Sequence, residues 1–142
     1  MQMEARLLSK PALRAWVSRL PHSFVVASLL GGDRLSCCDE AVGIEVEGEV
    51  VAVATIAPCG EICSGEPTIV GVYCLPSHRR HGYGRAAFVA AIKRCRERGF
   101  ARVCVDSMSA GMRRIIDGLD ENDRAYLHIT DHGSIMDAFP EN

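Results

Sequence analysis

Apolar residues recur at helical spacing in the first part of the chain. The stripe over residues 13–20 predicts a first helix, which Ser9 caps and Pro21 ends. The run FVVASLL at residues 24–30 predicts a second, short helix, closed by two glycines. Two helices therefore precede any strand in this interpretation of the pattern.

The spacing then changes to that of strands. AVGIEV at residues 41–46 alternates apolar and polar positions, and the apolar run VVAVATIA follows at residues 50–57 after a tight EGE turn, so we expect a β-hairpin. A loop at residues 58–67 leads to TIVGVYCL at residues 68–75. This segment is apolar on both faces, as in a central strand.

The second half predicts a strand, helix and strand unit. A helix is expected from about Gly82 to Arg98, ended by Gly99, and ARVCVDSM at residues 101–108 is expected to form the next strand, parallel to the central one. SAGMRRIIDGL then predicts a short helix and DEND a turn. RAYLHIT at residues 124–130 predicts a last strand.

Length and composition fit one domain spanning residues 1–142. The chain is 48% hydrophobic, and its apolar run at residues 50–57 is far shorter than the roughly 20 residues that span a bilayer. The segment MQMEARLLSK lacks the apolar core of a signal peptide. We expect a soluble, cytoplasmic protein with no membrane partner.

The seven cysteines include no Cys-x-x-Cys pair. Cys74, Cys95 and Cys104 fall in apolar periodic segments, where free thiols behave as small hydrophobic residues. A zinc site using Cys59, Cys63 and histidines is the alternative. The sequence has no second pair of cysteines with the spacing of Cys59 and Cys63, so no metal site is expected.

Charge is divided unevenly along the chain, although the formal total is −2. Residues 79–102 carry eight basic groups and one acid, whereas residues 115–142 carry seven acids and one arginine. Such a division indicates two partners, or two parts of a ligand, of opposite sign. A solvated, arginine-rich helix face is the simpler alternative.

The segment LPSHRRHGYGR joins the central strand to the long helix. Free backbone N–H groups and the positive end of the helix dipole meet at such a junction, and Gly82 and Gly84 carry no Cβ to keep an anion away. Arg79, Arg80 and Arg85 add positive charge. The segment predicts a phosphate site, but it lacks the spacing and the lysine of the common nucleotide motifs.

The signature within this segment resembles that of a known family. RRHGYG at residues 79–84 is similar to the Arg/Gln-x-x-Gly-x-Gly/Ala signature of the GNAT superfamily of N-acetyltransferases, and the preceding YCLPSH resembles that family's V-x-P segment, with Cys74 in place of valine. The order of elements over roughly residues 5–130 is also similar. The resemblance implies a mixed α/β (α+β) fold, with a mostly antiparallel central sheet, one parallel βαβ unit and flanking helices.

The resemblance also implies a reaction: transfer of an acetyl group from acetyl-CoA to a primary amine. By analogy, amides of residues 80–84 hold the pyrophosphate, and the pantetheine arm lies beside the end of the central strand, in a gap that opens toward the next strand. No metal is implied. The implied acetyl-CoA-binding residues are Tyr73, Cys74, Leu75, Arg79, Arg80, His81, Gly82, Tyr83, Gly84 and Arg85.

Catalytic residues are less well matched. The position of the family's catalytic glutamate falls on Thr68, so Glu66, two residues earlier on the same strand face, is the candidate base, with a solvated loop glutamate as the alternative. The tyrosine acid usually comes from the helix after the second parallel strand. That helix has none here, and Tyr126 is the candidate acid, with a core tyrosine as the alternative. His128 and His132 could each be a base or a ligand, but no role is expected for either.

The acidic C-terminal third favours a cationic amine acceptor, from a small molecule or a protein, and the alternative is that these acids only keep the chain soluble. A catalytically weak CoA-binding or protein-interaction module with the same fold is the alternative function. Nucleic-acid binding is disfavoured because the basic helix has no interleaved aromatic residues and the total charge is negative. A homodimer stays open.

Overall fold

A computed structural model describes residues 2–20, 38–58, 66–106 and 110–130. These residues form a single six-stranded sheet, in which the strands lie in chain order, and four α-helices. The elements are β1 (Met3–Ser9), α1 (Lys10–Ser18), β2 (Glu40–Val46), β3 (Glu49–Ala57), β4 (Thr68–Cys74), α2 (Tyr83–Glu97), β5 (Val103–Asp106), α3 (Ala110–Asp117), α4 (Glu121–Tyr126) and β6 (Leu127–Thr130). The predicted helix at residues 24–30 lies outside the described residues.

The sheet is mixed, which confirms the predicted fold class. Strands β1 to β4 pair antiparallel, whereas β4 pairs parallel with β5. Strand β6 adds a second parallel pair by lying beside β5. The predicted hairpin is β2–β3, and its two turn residues, Glu47 (φ 53°) and Gly48 (φ 82°), have the paired positive φ of a type I′ turn.

Two elements differ from the prediction because their local patterns are weak. Strand β1 was not expected: it lies at the sheet edge, only Leu8 is buried, and MEARLLS therefore shows no clear alternation. The predicted DEND turn is instead the start of α4. Asp120 caps this helix by accepting from the backbone N–H of Asp123 at 2.8 Å, so the predicted strand at residues 124–130 begins only at Leu127.

The core lies on both faces of the sheet. On one face α2 buries Phe88 and Ile92 against the strands, and on the other α1 buries Leu13 and Trp16. The indole N–H of Trp16 donates to the carbonyl oxygen of Val50 at 3.0 Å, which fixes α1 on the hairpin. No helix in the described ranges has the length and apolar content to cross a membrane.

The cysteines follow the prediction in part. Cys74 and Cys95 are free thiols, and burial raises the pKa of Cys95 to about 12. The expectation for Cys104 was wrong, because its sulfur is in a disulfide. The local apolar pattern around Cys104 carries no information about whether its sulfur is bonded to another cysteine.

Ion pairs anchor the second half of α2. Arg94 binds the carboxylate of Glu40 at 2.6 Å, and Arg98 binds that of Asp39 at 3.0 Å, which ties the helix to the start of β2. Arg96 pairs with Asp123 of α4 at 2.7 Å. These arginines therefore hold α2 against β2 and α4, which is neither the solvated face nor the ligand contact that the sequence suggested.

Candidate active site

The central strands β4 and β5 separate soon after they meet. Their backbones pair at one position, Thr68 with Cys104, and the N–H of Cys104 donates to the carbonyl of Pro67 at 2.8 Å. Strand β4 continues to Cys74, where its pairing in the described structure is with β3. Among the described residues the carboxyl half of β4 therefore has no backbone partner on the β5 side, and we call this side of the strand the gap.

Backbone alternation shows which groups of β4 face this gap. The N–H of Leu75 donates to the carbonyl of Val51 on the β3 side at 2.8 Å. Because backbone groups alternate in direction along a strand, those of Val72 and Cys74 point to the opposite side, toward the gap. The carbonyl of Cys74 accepts from Nε of Arg79 at 3.0 Å. The gap thus presents backbone groups to which an extended ligand can bind as an added strand.

A β-bulge precedes these positions. Gly71 pairs with Thr55 and Ile69 pairs with Ile56, which leaves Val70 as the extra residue of β4. The Thr55 side chain is fully buried, and its hydroxyl accepts from the N–H of Gly71 at 3.1 Å. Bulges bend a strand and increase its twist. This one lies at the point where β4 moves away from β5.

The loop after β4 takes a strained path into α2. After a 3₁₀ turn at Pro76–His78, Arg80 (φ 69°) and Gly82 (φ 80°) adopt left-handed conformations. For a residue other than glycine this costs about 1–3 kcal/mol, and such strain concentrates at ligand-binding segments. Gly82 caps α2 without a side-chain hydrogen bond, so the first-turn amides lie at an open helix N-terminus.

The two glycines of the signature have different roles. Gly82 is required by its positive φ. Gly84 has no such need, since a Cβ there would only come within 3.8 Å of the Val72 side chain, an ordinary contact. The protein itself therefore tolerates a side chain at Gly84, whereas a ligand lying on the first turn would not.

The arginines around the loop have distinct contacts. Arg79 stacks over the ring of Tyr73 at 5.3 Å, and Nη2 of Arg85 donates to the carbonyl of Gly118 at 2.6 Å. These two side chains hold the end of β4 and the end of α3. Arg80 is exposed at the strained position. If Arg79 or Arg85 binds a phosphate, it does so in addition to holding these parts of the fold.

Aromatic and imidazole rings complete the loop. His81 and His78 lie 5.6 Å and 6.4 Å from the Tyr83 ring, measured between centroids. Burial raises the pKa of the Cys74 thiol, which donates to the carbonyl of His78 at 3.4 Å. The structure thus gathers all ten predicted acetyl-CoA-binding residues at the carboxyl end of β4, in the loop and on the first turn of α2.

Glu66 lies at the other end of β4. Its carboxylate accepts from Nδ1 of His128 and from Nε of Arg102. The hydrogen bond from His128, followed by that from Arg102, lowers the pKa of Glu66 against the opposing effect of burial. Glu66 is therefore ionised at neutral pH. No role was expected for His128 from the sequence, because its contact with Glu66 depends on the pairing of β5 with β6.

Tyr126 lies away from the loop. Its hydroxyl donates to the carbonyl of Phe100 at 2.7 Å, just before β5, and Arg96 stacks over its ring at 4.7 Å. Burial raises the pKa of this hydroxyl. These contacts support a structural role and give no support to the proposed acid role.

The fold and the loop correspond to a known family. Residues 9–115 match the family described as Acetyltransferase (GNAT) family, so the chain belongs to the GNAT acetyltransferases. Among curated proteins no significant match is found.

Solved structures with the same fold include several acetyltransferases. A ribosomal-protein-alanine N-acetyltransferase from Brucella melitensis is 20% identical, with 84% of this chain and 91% of that chain covered and a TM-score of 0.54. An aminoglycoside N-acetyltransferase in complex with CoA is 16% identical, with 84% and 89% covered and a TM-score of 0.56. A predicted acetyltransferase from Clostridium acetobutylicum, solved with acetyl-CoA, is 17% identical, with 84% and 91% covered and a TM-score of 0.54.

Gly84→Glu tests the loop as an anion site. The carboxylate would occupy the first turn of α2 and repel phosphate, while its effect on the helix should be neutral or stabilising by about 0.3–1 kcal/mol. We expect acetyl-CoA binding, measured by calorimetry, to be lost and the melting temperature of the free protein to be retained. Ala125→Glu, which adds the same charge to an exposed position of α4, is the matched control and should bind normally. Normal binding by Gly84→Glu would contradict a ligand role for the loop.

Proposed function

We propose that this chain is an acetyl-CoA-dependent N-acetyltransferase that acts on a primary amine of a small molecule or a protein. The observation that carries the proposal is the gap between β4 and β5, adjoining a strained loop that leads into an open helix N-terminus. Family membership supports acetyl-CoA as the co-substrate.

The two parts of this region suit two parts of acetyl-CoA. Amides at residues 80–84 would hold the pyrophosphate, because the helix dipole and the N–H groups of a helix's first turn favour anions. Backbone groups of Val72 and Cys74 would pair with the amides of the pantetheine arm. Acetyl-CoA supplies an activated thioester, and a backbone N–H of β4 would stabilise the oxyanion formed when the amine attacks.

Glu66 is the proposed base. It is ionised at neutral pH and so can accept a proton from the attacking amine, directly or through water. Because an ionised carboxylate only accepts hydrogen bonds, Nδ1 of His128 must carry the proton in their contact. The same contact and the hydrogen bond from Arg102 lower the pKa of Glu66, so the carboxylate is a weak base.

The weak basicity of Glu66 and the structural contacts of Tyr126 favour a second candidate: a CoA-binding module with little turnover. Both candidates bind acetyl-CoA, so binding does not separate them. The difference is the formation of an acetylated product.

The acceptor is proposed to be a cationic amine. The solved relatives include one named for aminoglycosides and one named for a ribosomal-protein alanine, so the fold occurs with both small and protein acceptors. Some acids of the C-terminal third are already engaged, since Asp120 caps α4 and Asp123 pairs with Arg96. The remaining acids would attract the acceptor.

A panel of amines tests the proposed function. The protein is incubated with acetyl-CoA and with aminoglycosides, polyamines and peptides bearing lysine or a free N-terminus, and the products are examined by mass spectrometry. We expect one class to gain an acetyl group above the level of the Gly84→Glu control. Binding of acetyl-CoA with no product from any class would support the module instead.

Glu66→Gln tests the base. The amide cannot accept a proton, so we expect kcat on the best acceptor from the panel to fall by roughly 10²–10⁴-fold while acetyl-CoA affinity stays the same. Glu45→Gln is the matched control: Glu45 also pairs with an arginine, and its side chain is 20% exposed, as is that of Glu66. An unchanged rate in Glu66→Gln would remove Glu66 from the mechanism.

A further inference from the structure

Three potential metal-binding side chains converge on the sheet face opposite α2. They are Glu66 just before β4, Cys104 in β5 and His128 in β6, and their donor atoms all lie within 4.8 Å of one another. Val103 and Val105 pack on the α2 side, so Cys104, between them, points to the opposite face.

The sheet itself holds these residues in place. Cys104 is the direct partner of Thr68 on β4 and of His128 on β6, so two of the donors stand side by side on adjacent strands. The N–H of Cys104 is fixed to the carbonyl of Pro67, next to Glu66 in the chain. Donors on paired strands are held more precisely than donors on loops.

The donor set suits zinc. A carboxylate oxygen, a thiolate sulfur and an imidazole nitrogen are all common zinc ligands, and bonds of about 2.0–2.3 Å place tetrahedral ligand atoms roughly 3.3–3.8 Å apart. Metal binding would draw the three donor atoms from their present separations, all within 4.8 Å, to that spacing. Arg102 binds the second carboxylate oxygen of Glu66, Oε2, and would orient the ligating carboxylate from outside the metal's first shell.

The oxidation state of Cys104 decides whether this chemistry is available. In the structure its sulfur is in a disulfide and so cannot be a thiolate. A thiol reductant that supplies two electrons and two protons would convert the disulfide to two thiols. The metal would then displace the proton of the Cys104 thiol, because the thiolate is the ligand.

We propose that the reduced protein binds Zn²⁺ through Glu66, Cys104 and His128, with a fourth position left for water or another group. The Cys104 disulfide and the metal site are mutually exclusive states of the same cluster. This departs from the sequence-based expectation that no metal is bound. It does not rest on the proposed acetyl transfer, so its test measures metal binding directly.

Cobalt is the spectroscopic probe. The protein is reduced with a phosphine, which does not compete strongly for metal, and titrated with Co²⁺ and then with Zn²⁺. We expect one equivalent of Co²⁺ to give a sulfur-to-cobalt charge-transfer band, and Zn²⁺ to remove it. Protein with the disulfide intact should give no band.

Single variants assign the ligands. Cys104→Ser should abolish the charge-transfer band, and His128→Ala and Glu66→Gln should each weaken Zn²⁺ binding, in competition with a chromophoric chelator, by at least about tenfold. Cys74→Ser, which removes a free thiol at the far end of β4, should leave the band unchanged. Circular dichroism checks the fold of each variant, and the His128 and Glu66 variants keep the test valid if Cys104→Ser does not fold.

Two results would overturn the proposal. One is the absence of stoichiometric Co²⁺ or Zn²⁺ binding by the reduced wild-type protein. The other is a charge-transfer band that persists in folded Cys104→Ser, or Zn²⁺ affinity that is unchanged in both His128→Ala and Glu66→Gln.

Discussion

The separation of β4 from β5 after a single backbone pair is the constraint on which the site depends. A central strand normally uses its N–H and C=O groups on both sides, and among the described residues β4 pairs with β5 only where Thr68 meets Cys104. Beyond the bulge held by the buried hydroxyl of Thr55, the groups of Val72 and Cys74 face an opening. A ligand can pair with such backbone groups as an added strand, in addition to the hydrogen bond that the Cys74 carbonyl already accepts from Arg79.

The distribution of charge follows from the same arrangement. The basic segment has two functions that the sequence does not separate: the arginines in the second half of α2 pair with acids of β2 and α4, whereas the N-terminal end presents the strained loop with Arg80. Positive charge is thus partly neutralised where α2 packs against the fold. Positive charge stays available at the N-terminal end of α2, where the helix dipole also favours anions.

The sequence predicted the elements with strong local patterns. The hairpin, the central strand, the long helix and the loop between them were found where alternation, helical spacing and glycines indicated them. Strand β1 and helix α4 differ from the prediction for different reasons: β1 buries little besides Leu8, and an Asp that caps a helix, as Asp120 does, is also common in turns.

Contacts between distant strands could not be predicted in this way. The approach of His128 to Glu66, and the bonding of Cys104, depend on which strands are neighbours in the sheet, and local periodicity does not contain that information. Tyr126 was predicted as an acid from its residue type alone. In the fold its hydroxyl donates to the Phe100 carbonyl, a structural contact that the sequence could not reveal. Family resemblance drew attention to the loop before α2, whereas the surroundings of Glu66 could be described only from the fold.

The central claim is that the gap and the loop together bind acetyl-CoA, and the melting temperature of the free and liganded protein tests it most directly. A ligand at about 100 times its Kd stabilises the native state by about 2.7 kcal/mol, which for a chain of this size corresponds to roughly 5–10 °C. The account predicts such a rise with acetyl-CoA and with desulfo-CoA, which keep the pyrophosphate and the pantetheine arm, and little change with ATP or NAD at the same concentration. An equal rise with ATP would show that the loop is a general phosphate site and would contradict the role of the gap.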